Sequence, residues 1–87
     1  YELGLVNEVV PLEKLDETVD GWVADILRCA PLAVRATKEA TMKGLDHPLA
    51  QAYYTLNDGE RRRRVSDDAL EGPRAFAEKR APNWKGS

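Results

Sequence analysis

The feature that most constrains this chain is a strand with nothing to pair with. Leu5-Val6-Asn7-Glu8-Val9-Val10 is apolar and β-branched, with Gly4 before it and Pro11 after it. That composition predicts a short strand over 5–10. A strand cannot satisfy its own backbone groups and needs a sheet. The rest of the chain offers no second run of this kind, so no sheet can form from these residues alone.

The remainder reads as helix. Leu15, Val19, Trp22, Val23, Ile26 and Leu27 fall on one face of a helix between Leu12 and Cys29, with Lys14, Asp16, Asp20 and Asp25 off it. Pro31 interrupts and suits the first turn of a second helix over 32–43, with Leu32, Ala36, Ala40 and Met42 inward and Gly44 as its stop. Asp46 is expected to cap a third helix, with Pro48 in its first turn. This helix runs to about Arg64 and carries Leu49, Ala52, Tyr53 and Leu56 on one face, with Gly59 as a weak point. Ser66 is expected to cap a fourth helix from Asp67 to about Arg80, and Gly72-Pro73 predicts a kink or break inside it. The tail, 81–87, is expected to be irregular. The fold class is therefore mainly α: a short N-terminal strand, then about four helices.

Composition narrows the function classes. An 87-residue chain is one small domain at most, with a thin core. A single cysteine, Cys29, cannot staple a secreted scaffold and points to a reduced, cytoplasmic setting. No apolar run reaches the roughly 18 residues of a membrane span. One His and one Cys cannot build a structural zinc site. The net charge of −2 argues against bulk attraction to nucleic acid. Charge is nonetheless uneven. Residues 1–59 hold five basic and ten acidic residues, and 60–87 hold eight and five. Tyr1 opens the chain and Met42 is its one methionine, which leads us to expect a piece of a longer protein.

No Ser-His-Asp set, phosphate loop or metal cluster is present. Asp67/Asp68 and Glu71/Glu78 lie in polar stretches expected to be exposed, where nothing would shift a carboxylate into catalytic range. His47 reads as a surface residue at a helix start, and Cys29 as a small buried hydrophobe. Arg61–Arg64 reads as a solvated helix end, with an anionic cofactor or a subunit partner as the functional alternative. Phe76 and Lys79, three apart, share a face. An aromatic beside a mobile cation suits a flat phosphorylated ligand, while a core phenylalanine beside a solvated lysine is the plainer reading.

The tail carries a resemblance. Asp68, Glu71-Gly72, Ala75-Phe76, Glu78-Lys79-Arg80, Pro82, Trp84 and Gly86 closely resemble the C-terminal signature of the enoyl-CoA hydratase/isomerase (crotonase) superfamily. Gly4–Pro11 is similar to that family's link from its αβ core into its helical region, and Ala30-Pro31 followed by Lys38 is similar to the helix beyond. The resemblance covers the whole chain. It implies residues 1–11 as the end of the αβ core and 12–87 as the C-terminal helical, trimer-building domain of the crotonase fold.

Family members bind acyl-CoA thioesters as substrates, without a prosthetic group, and stabilise an enolate in an oxyanion hole. In the hydratases two glutamates move the protons. The resemblance places all of those groups upstream, so no catalytic residue is assigned in this chain and the chain alone is expected to be inactive. It implies that Phe76 and Lys79 approach the adenine and phosphates of CoA, bound by the same or a neighbouring subunit. It implies a homo-trimer or a dimer of trimers, with Leu15, Trp22, Ile26, Leu49 and Tyr53 on faces to be buried. Enoyl-CoA hydration is the simplest implied reaction. Isomerisation and carnitinyl-CoA dehydratase-like or naphthoyl-CoA synthase-like chemistry are alternatives. Pro73 departs from the family pattern. A stand-alone helical module with a basic end is the rival from another class.

Overall fold

A computed structural model describes residues 1–87. A 3-10 turn (Leu12–Lys14) leads into α1 (Leu15–Leu27), followed by α2 (Pro31–Gly44), α3 (Leu49–Tyr54), α4 (Asp58–Arg64) and α5 (Asp67–Ala77). The strand expected over 5–10 is not formed. No second strand exists to take its backbone groups, and the segment is irregular. It is tethered by the Trp22 indole, which donates to Glu8 Oε2 at 3.1 Å.

The helix expected from 48 to 64 is two helices. Thr55 leaves the helix in an extended conformation, its hydroxyl donating back to the Gln51 carbonyl at 2.7 Å. Asn57 is extended too, but no side chain of its own caps α4. The cap comes from α2, where Glu39 Oε2 accepts the Gly59 N–H at 2.7 Å. Gly59 is therefore no weak point. A Cβ there would lie 3.1 Å from Ala36 Cα, so the missing side chain lets α4 close on α2. Asp46 caps nothing; α3 begins after Pro48. Pro31 does open α2, and Ser66 does cap α5, its Oγ accepting the Ala69 N–H at 3.2 Å. α5 is not broken at Pro73. It runs through, held by the Ser66 cap at one end and a closed turn at the other.

The core is nearly absent. Only Ala36, Ser66, Asp68 and Ala75 are buried. The radius of gyration is 16.4 Å, against about 12 Å for a compact domain of this length. The accessible surface is 7596 Å², against roughly 5,100 Å² for a compact monomer of this mass. The apolar face of α1 accounts for part of the excess, with Leu15, Val19, Trp22, Val23 and Ile26 all about half exposed. No helix is long and apolar enough to cross a membrane.

Candidate functional site

Asp68, Glu71, Gly72 and Ala75 recur at helical spacing along one face of α5. The tail docks on that face. Asp68 Oδ1 accepts the Lys85 N–H at 2.8 Å and Oδ2 accepts the Gly86 N–H at 2.9 Å. Glu71 Oε1 accepts the Asn83 N–H at 2.7 Å. The Trp84 ring lies over Gly72, where a Cβ would come 3.3 Å from the indole. Asp68 is thus not an exposed acid but a buried acceptor for the tail backbone. Spacing 68/71/72/75 was the signal for it, but the other half of each bond lies in an irregular segment.

Beyond this face α5 ends in a closed turn. Lys79 has a left-handed backbone (φ 53), and its N–H donates to the Phe76 carbonyl at 3.2 Å. The Arg80 N–H donates to the Ala75 carbonyl at 3.1 Å. These two bonds are the Schellman pattern, which satisfies orphan carbonyls at a helix end. A left-handed lysine costs about 1–2 kcal/mol relative to glycine. The turn therefore joins the backbones of the two residues singled out for a flat phosphorylated ligand. Phe76 is 88% exposed, the largest exposure of any large apolar side chain, so it is not part of a core within these 87 residues. Lys79 takes part in none of the chain's nine ion pairs. No cavity encloses the pair; they stand on an open face.

The neighbouring charges are all committed. Arg80 grips Glu71 with both Nη atoms, at 2.6 and 3.0 Å, and its Nε donates to Glu78 Oε2 at 2.6 Å. The Arg80 guanidinium, then the Asn83 N–H, hold the Glu71 carboxyl down at about 2. Arg80, then Arg74, lower Glu78. Such carboxylates stay ionised and suit ion pairing, not proton transfer.

The other sequence candidates are separate from this turn. In Arg61–Arg64, Arg63 and Arg64 are paired to Glu60, which they hold at about 2. Cys29 is exposed rather than buried, because nothing in this chain covers the end of the α1 face. No group of three or more His, Cys, Asp and Glu residues is placed to hold a metal.

The family model for enoyl-CoA hydratase/isomerase matches residues 1–87. Carnitinyl-CoA dehydratase of Salmonella typhi is 40% identical over an 87-residue alignment covering 95% of this chain and 33% of that protein. A crystal structure of an enoyl-CoA hydratase/isomerase from Mycobacterium paratuberculosis superposes with a TM-score of 0.93 at 44% identity, over 100% of this chain and 34% of that one. The enoyl-CoA hydratase of Bacillus anthracis superposes with a TM-score of 0.90 at 36% identity, over 99% and 33%. This chain spans about one third of the length of these relatives, their C-terminal helical third. It belongs to the enoyl-CoA hydratase/isomerase family of the crotonase superfamily.

Proposed function

We propose that this member of the enoyl-CoA hydratase/isomerase family supplies the CoA-holding and subunit-packing region of an acyl-CoA enzyme. The observation that carries the reading is the α5 turn, which leaves Phe76 exposed on the last turn of the helix and ties the backbone of an unpaired Lys79 to it. Phe76 offers an aromatic face to adenine and Lys79 a compact charge to phosphate. Residues 1–11 would close the αβ core, whose sheet completes the segment left irregular here. Residues 12–87 would form the helical domain. Its half-exposed α1 face gives it an apolar stripe to bury against that core or against neighbouring subunits of a trimer or a dimer of trimers. The free, exposed thiol of Cys29 fits a cytoplasmic setting.

The reaction we assign is addition of water across the 2,3 double bond of an enoyl-CoA thioester. A second reading, dehydration of a carnitinyl-CoA-type substrate, is supported by the 40% identity to a carnitinyl-CoA dehydratase. The bond-making groups lie outside these 87 residues in either case. Hydration of crotonyl-CoA and dehydration of carnitinyl-CoA, assayed on the full-length enzyme, separate the two. Activity on neither thioester overturns both, and turnover by the isolated 87-residue chain would overturn the placement of the chemistry elsewhere.

A further inference from the structure

The turn that closes α5 is built from residues that do not favour it. A turn of this pattern normally has glycine at the left-handed position and an apolar contact from the residue after it. Here Lys79 is left-handed and Arg80 follows, opposite Ala75. Charge-assisted bonds stand where the apolar contact would be. The Arg80 fork closes on Glu71, its Nε reaches Glu78, and Glu78 Oε1 accepts from Arg74 Nε at 3.0 Å. Glu71 also accepts the Asn83 N–H, so one carboxylate fixes both the residue after Lys79 and the start of the docked tail. A strained backbone persists only where its surroundings over-determine it. In this turn the surroundings are Glu71 and Arg80.

We propose that Glu71 and Arg80 are positioning residues that clamp the left-handed turn, so that the Lys79 ammonium and the Phe76 ring are pre-set for the nucleotide end of acyl-CoA. This rests on the reading of Phe76 and Lys79 as the CoA contact. A planar guanidinium gripping a carboxylate with two bonds has one geometry, which a lysine could not reproduce. A turn fixed before the ligand arrives loses less freedom on binding than one ordered by it.

The test compares a CoA thioester with the matching pantetheine thioester, which lacks the nucleotide, on the full-length enzyme. The quantity read is the ratio of the two kcat/KM values. A general folding defect lowers both constants together and leaves the ratio alone. Lys79→Ala, Glu71→Gln and Arg80→Leu are each expected to lower the ratio about tenfold, through KM for the CoA thioester. Arg80→Lys should not restore it, and Arg80→Leu in a background that already carries Lys79→Ala and Phe76→Ala should lower it no further. Should Arg80→Leu fail to fold, Glu71→Gln keeps the shape and removes only the charge. A ratio that falls for Lys79→Ala but holds for Glu71→Gln and Arg80→Leu overturns the clamp. A ratio that holds for Lys79→Ala and Phe76→Ala as well overturns the CoA contact itself, and the clamp with it.

Discussion

Trp84 donates its indole N–H to the Arg28 carbonyl at 2.8 Å, joining residues 56 positions apart. Arg28 ends α1, and its carbonyl is one of those a helix terminus leaves without a partner. The bond therefore ties the irregular tail, already docked on α5, to the junction of α1 and α2. Gly86 completes the seat with a left-handed backbone that favours glycine, at a position where a Cβ would make ordinary contact with Pro31 Cγ at 3.5 Å.

Trp84→Phe keeps an aromatic ring over Gly72 and removes the bond to Arg28. The expected loss is about 1 kcal/mol of stability, the usual net worth of one neutral hydrogen bond. Denaturant melting of the full-length enzyme reads the loss. Amide exchange localises it, with faster exchange expected at Lys85 and Gly86 and little change in α4.

Asp68→Asn is expected to cost more, about 1.5–3 kcal/mol, because both of its oxygens accept backbone N–H groups in a buried site. An amide presents one oxygen and one N–H₂, so one of the two tail donors would face a donor. Limited proteolysis is expected to cut 81–87 at lower protease in this variant than in the parent. Equal protection would show that the tail is held by Trp84 and Glu71 without it.

Gly59→Ala separates local preference from packing. Helix propensity alone predicts a gain of about 1 kcal/mol for alanine in α4. The new Cβ would meet Ala36 Cα at 3.1 Å and crowd the Glu39 carboxylate that caps α4. Backbone cannot swing aside as a side-chain end can, so a net loss of about 1 kcal/mol is expected. A higher melting temperature would mean that α2 and α4 part freely.

Where an element depends on its own residues, the sequence was readable. The apolar period of α1, proline at the start of α2 and the Ser66 cap are all local, and each lies where expected. The break between α3 and α4 depends on Glu39, 20 positions before the amide it caps. The burial of Asp68 depends on amides 17 and 18 positions after it. Neither can be seen in a window of neighbouring residues. For the site, the three-residue spacing of Phe76 and Lys79 suggested a shared helix face, but α5 ends at Ala77 and Lys79 lies beyond it. The left-handed turn between α5 and the tail was not legible, because a lysine does not announce one as glycine would.

Acid is expected to release the Glu71–Arg80 pair. Arg80, then the Asn83 N–H, hold the folded carboxyl at about 2, below the usual 4.5. A group lowered on folding stabilises fully above its unfolded value, and that support is lost as pH falls from about 4.5 towards 2. Arg80 stays charged throughout, so Glu71 alone sets the window. Glu71→Gln should therefore be less stable than the parent at pH 7, with the gap closing as pH falls towards 2. A gap that does not change with pH would mean that the carboxylate charge contributes nothing to folding.

Lys79→Gly sets stability against binding at one position. Glycine adopts the left-handed backbone without the cost that a Cβ imposes, so the variant is expected to gain about 1 kcal/mol in denaturant unfolding. Its effect on the bonds of the turn is small, since the Lys79 N–H and the Arg80 N–H donate from the backbone and remain. What disappears is the ammonium, and with it the charge proposed to meet a CoA phosphate. KM for the CoA thioester should rise while the protein becomes harder to unfold. Those opposite signs are hard to produce otherwise: a lysine that merely ended a helix would give the gain in stability with KM unchanged. A variant that loses both stability and affinity would instead show that the lysine stem, and not its charge, supports the turn.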